Sequence, residues 1–60
     1  MESFGLTRIP VGARVQHDLF GIGVVKGSRD LGGDILYEVT FASGETKKLM
    51  ATYARLKEIK

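Results

Sequence analysis

Sixty residues, 43% hydrophobic and 27% charged, with a formal net charge of +2, describe one small globular domain and exclude a disordered or collagen-like chain. The absence of Cys excludes a disulfide framework and a thiolate zinc site, and no apolar run approaches the ~18 residues of a membrane helix. A chain this short buries only about 60% of its unfolded surface, so it is expected to rely on a compact fold of short elements, a partner or a parent chain, with the cytoplasm as the expected location.

Residues 1–9 have no clear period and are expected to form a flexible tail, with the domain spanning 10–60. Pro10 lacks an amide donor and Gly12 permits a turn, so the first strand is expected after them, at Arg14-Val15-Gln16-His17 with Val15 inward. Asp18 to Gly23 reads DLFGIG, a tight turn with a left-handed residue at one or both glycines and Phe20 as its anchor in the core. Val24-Val25 supplies a second strand that runs out at Gly27, and Gly32-Gly33 within SRDLGGD signals a hairpin turn. Ile35 to Phe41 is the clearest strand, with Ile35, Tyr37, Val39 and Phe41 on one face and Leu36, Glu38 and Thr40 on the other. Ala42 to Glu45 is a second tight turn. Thr46 to Met50 continues as a strand with Leu49 inward, Ala51 to Ala54 fits a single helical turn, and Leu56 to Ile59 closes the chain as a short strand with Leu56 and Ile59 inward.

Five short strands, glycine-rich turns and one helical turn predict an all-β domain. Strands this short hide their apolar faces by curling into a small, strongly bent five-stranded barrel, with a short helical turn before the last strand. Gly23 and Gly27 would supply the bends.

Charge is uneven. Residues 1–44 carry four basic and five acidic side chains, net −1, while residues 45–60 carry five basic and two acidic, net +3. The excess favours an anionic partner, either an acidic protein surface or nucleic acid. No enzyme is expected: there is one His and no Cys, and no Ser or Asp is placed to complete a triad. A lone His without Cys is a poor metal site, no phosphate-binding loop is present, and no cofactor is implied. Arg14 and His17 flank Val15 and are candidate partner contacts. For His17, local hydrogen bonding into the DLFGIG turn is the favoured role, because imidazole donates and accepts at once. Among Phe4, Phe20, Tyr37, Phe41 and Tyr53, Phe20 and Phe41 are expected in the core, which leaves too few exposed rings for a methyl-lysine cage. The Tyr53 ring is expected to pack under the last strand with its hydroxyl toward water or a partner.

Two segments carry a resemblance. VGARVQHDLFGIGVV at Val11–Val25 and VTFASGETKKLMATYARL at Val39–Leu56 resemble the Tudor-like (SH3-like barrel) domain at the C-terminus of UvrD/PcrA-type superfamily 1 DNA helicases. The matching positions are Val11, Gly12, Arg14, Val15, His17, Phe20, Gly21, Gly23 and Val25, then Val39, Phe41, Gly44, Lys47, Leu49, Tyr53, Ala54 and Leu56. Two positions depart from the pattern: Ala13 replaces the usual Asp, and Ile22 gives the turn an apolar tip where a polar residue is usual. The resemblance implies a non-catalytic docking module that tethers a helicase to RNA polymerase and to nucleotide-excision-repair proteins in transcription-coupled repair. Lys47, at the family's Lys position, and the adjacent Lys48 would be electrostatic anchors on opposite strand faces. Partner-binding residues on this reading are Lys47, Lys48, Arg14, His17 and Tyr53, in a domain expected to be a monomer. The alternatives are a nucleic-acid-binding module that uses the basic C-terminal quarter, and an end-cap packed on its own helicase body.

Overall fold

The computed structural model describes residues 8–59, so the expectations for residues 1–7, including Phe4, lie outside the described residues. The chain forms β1 (Arg14–His17), β2 (Gly21–Asp30), β3 (Ile35–Phe41), β4 (Thr46–Met50), the helical turn α1 (Ala51–Ala54) and β5 (Lys57–Ile59). All ladders are antiparallel, and the strands lie in the order β4-β3-β2-β1-β5. This is the expected five-strand, all-β architecture with a helical turn before the last strand. Its hydrogen bonding stops short of the expected closure. The strands β4 and β5 are the two edges, joined through α1, and no ladder between them occurs among the described residues. The short β5 is committed to β1, where Arg14 faces Ile59 and Gln16 faces Lys57.

Alternation builds the core. Ile35, Tyr37, Val39 and Phe41 are buried on one face of β3, and Val15 and Val25 join them from β1 and β2. Ile9, Leu49, Ala51 and Leu56 pack around this cluster. Full burial of a Val, Ile or Phe side chain such as Val15, Val39 or Phe41 contributes about 1.5–3 kcal/mol. Ile9 therefore already belongs to the folded unit: its amide donates to the Tyr37 hydroxyl at 2.9 Å, and the neighbouring Arg8 guanidinium reaches Asp30 at 3.4 Å. The loop that follows is pinned to β2, since Gly12 N–H donates to the Val25 carbonyl at 2.7 Å and Val25 N–H to the Ala13 carbonyl at 3.0 Å.

Several local expectations change. The strand expected to end at Gly27 continues to Asp30, because Lys26 forms a bulge: Val25 pairs with Val39 and Gly27 with Glu38, leaving Lys26 unpaired. The bulge absorbs the bend, and the strand then pairs on to the hairpin. Ile59 faces Arg14, on the side of the sheet opposite Val15, rather than inward. Tyr53 is 83% exposed and does not pack under β5. In a one-turn helix Ala51 faces the core, and a residue two positions later lies about 200° around the axis, toward water.

The helical turn is held from a distance. Its N-cap residue, Met50, has no side-chain acceptor, and the service comes from Asp34 at the end of the β2–β3 hairpin. One carboxylate oxygen of Asp34 accepts from Ile35 N–H at 2.8 Å and Thr52 N–H at 3.1 Å. Partial desolvation pushes the Asp34 carboxyl up, but the bonds from the Ile35 amide and from the hydroxyl and amide of Thr52 outweigh it and hold the group below its ordinary range.

Candidate functional site

The end of the sheet at the β1–β2 turn gathers the densest set of specific contacts. Gly21 at φ +82° turns the chain there without a steric penalty. The strand β1 ends at His17, and Nδ1 of its ring accepts from Leu19 N–H at 3.0 Å and Phe20 N–H at 3.3 Å. An accepting Nδ1 places the ring proton of neutral His17 on Nε2. The same imidazole stacks on Phe20, with centroids 4.5 Å apart and 20° between planes, and meets Phe41 edge-on at 6.2 Å. Phe20 in turn tilts against Phe41 at 5.5 Å.

Gly23 lets Phe41 sit where it does. A Cβ there would lie 2.8 Å from the Phe41 ring, the Thr40 carbonyl oxygen and a Val39 methyl, distances no side chain tolerates. Close approach of β2 to β3 brings the buried Phe41 beneath the turn. From β4, the Lys47 ammonium lies 4.6 Å from the Phe20 ring centroid and 3.8 Å from a Glu45 carboxylate oxygen. A cation over an aromatic face at an exposed site contributes about 0.5–1 kcal/mol. Phe20 is thus held between an imidazole and an ammonium.

Phe20 is not the core anchor expected from the sequence. It is 37% exposed, because it lies beyond the last paired residue of β1 and touches the core through Phe41. Leu19 is 82% exposed and Ile22 43%, so the turn presents three large apolar side chains to solvent. Beside it a shallow cavity of about 270 Å³ is lined by Ile22, Val24, Lys26, Thr40, Phe41 and Ala42.

Of the five residues expected to bind a partner, only His17 and Lys47 converge, both on Phe20. Lys47 pairs with buried Val39 and Lys48 with exposed Glu38, so the two lysines take opposite faces as their adjacency requires. Lys48 lines a separate cavity of about 260 Å³ with Ser28, Arg29 and Glu38. Arg14 faces Val24 and Ile59, on the side of the sheet away from Val15, and Tyr53 stands on α1. Leu19 and Phe20 belong to this site although neither is among the residues expected to bind a partner. The available signal was three large apolar residues in a glycine turn that has no inward row to receive them.

No protein-family model matches the chain, and no curated protein matches it. Among the described residues no group of three or more His, Cys, Asp or Glu side chains converges, and no helix is long and apolar enough to cross a membrane. What the turn offers chemically is an apolar, shape-defined contact with Lys47 over the Phe20 ring and Lys26 in the lining of the neighbouring cavity.

Proposed function

We propose that this domain is a non-catalytic docking module of a UvrD/PcrA-like DNA helicase, tethering it to RNA polymerase and to repair partners in transcription-coupled repair. The carrying observation is the solvent-facing Leu19-Phe20-Ile22 tip with Lys47 beside it, an apolar patch adjoining a cation. The two-segment resemblance supplies the helicase and polymerase context. Apolar side chains at the centre of a small contact give affinity, and a flanking charge gives register. A contact of this size belongs with small transient interfaces, with a dissociation constant on the order of micromolar.

The test is a heteronuclear NMR titration of the labelled domain with core RNA polymerase and, in parallel, with a DNA oligonucleotide at low salt. Polymerase is expected to perturb Leu19, Phe20, Ile22 and Lys47, and Lys47→Glu to weaken binding about tenfold by reversing the charge beside the patch. Perturbation by DNA alone, centred on Lys48, Arg55 and Lys57, would favour the nucleic-acid reading. Silence from both ligands would end the proposal.

A further inference from the structure

We infer that His17 is the positioning residue of the docking tip: its Nδ1 sets the turn that exposes Leu19 and aims Phe20. The inference rests on the docking reading for its consequence, and on the turn geometry for its substance. Residue i accepting from the amides of i+2 and i+3 is the hydrogen-bond pattern of an Asx turn, here performed by an imidazole. No other hydrogen bond to the Leu19 or Phe20 amide occurs among the described residues, so inside the turn that the His17–Gly21 pair closes, the His17 ring supplies the bonds to these two amides.

The ring adds a second function that an Asx side chain lacks. Stacked on Phe20 at 4.5 Å, it supports one face of that ring while Lys47 covers another part of it. Phe20 is therefore held against His17, Phe41 and Lys47 while 37% of it stays exposed. A binding surface whose aromatic anchor is already ordered loses less entropy when the partner arrives. His17 touches the partner little or not at all in this scheme; it acts through Leu19 and Phe20.

Two variants divide the hydrogen bonds from the ring. His17→Asn keeps an acceptor at the right position in sequence and loses the stack, whereas His17→Phe keeps a ring and loses the acceptor. Amide exchange by NMR and affinity for core RNA polymerase are read on both, with Ile35→Val as a control that lowers stability at the far end of the sheet. His17→Phe is expected to speed exchange at Leu19 and Phe20 about tenfold and to weaken polymerase binding by a similar factor. His17→Asn is expected to keep exchange at Leu19 and Phe20 within about threefold of wild type, since the backbone bonds survive, and to weaken polymerase binding about threefold to tenfold, since the stack on Phe20 is lost. Wild-type affinity in His17→Asn would overturn the ring's part in the inference. Unchanged exchange in His17→Phe would overturn the inference, as would faster exchange with unchanged affinity. Equal weakening by Ile35→Val would also overturn it, by assigning the effect to global stability. If wild type itself leaves polymerase untouched, the docking reading falls, and the exchange result alone decides whether His17 sets the turn.

Discussion

Gly23 shows how one missing side chain positions a functional surface. Three heavy atoms at 2.8 Å from its absent Cβ mean that any substitution must push β2 away from β3 or tilt the Phe41 ring. Gly23→Ala should therefore cost about 1–3 kcal/mol, the range for overpacking a tight interior, in a urea unfolding titration. Its effect should reach Phe20 and His17 as chemical-shift changes through Phe41. Gly33→Ala is the contrast: nothing lies within 4 Å and its φ is not positive, so its cost should stay within about 0.5 kcal/mol. Of these residues, Gly21 and Gly23 were legible as special positions from the motif, but only Gly21 takes a left-handed conformation. For Gly23 the demand is close packing, which depends on a strand eighteen residues away in sequence and is invisible to local reading.

The strand β3 was legible residue by residue, because period-2 alternation and a buried face are two statements of one physical fact. The strand β2 was legible only up to its bulge, because the bulge is decided by pairing with β3 and not by Lys26 itself. The helical turn α1 was legible as a turn, while its attachment was not. Asp34, which reads as a hairpin residue, is also the acceptor that fastens Thr52. Because the folded state holds the Asp34 carboxyl below its ordinary range, the unfolded chain binds the proton more readily. The resulting stability is complete above the ordinary carboxylate range and is lost as pH falls through the lower, folded value. Asp34→Ala should lower the urea midpoint at pH 7 and reduce the further loss on acidification relative to wild type. An identical acid-induced loss in both proteins would show that the carboxylate does not latch α1.

The two ends of the sheet have different chemistry. At one, the β2–β3 hairpin meets Arg8 through Asp30 and α1 through Asp34. At the other, the apolar tip stands with the Lys47 ammonium 4.6 Å from the Phe20 ring. Lys47 and Lys48 face opposite ways, so only Lys47 of this pair stands beside the tip. Docking at the tip should consequently depend weakly on salt. Raising salt from about 50 to 200 mM should reduce polymerase affinity no more than about tenfold, against the roughly 10³–10⁵-fold loss of a protein making several phosphate contacts. A steep loss in a binding titration across that range would point to a contact dominated by charge.

The amino-acid order alone determined the strand count, the turns, the inward row of β3 and the lone helical turn, because backbone sterics at glycine and the two-residue period of a strand act between near neighbours. Tertiary structure alone decided that β4 and β5 remain edges, that Tyr53 faces water, that Ile9 joins the core, and that Phe20 sits at the rim between His17 and Lys47. Each of these depends on which distant segment arrives to cover a side chain. A strand's own sequence states which face is apolar, but not whether anything reaches its last row.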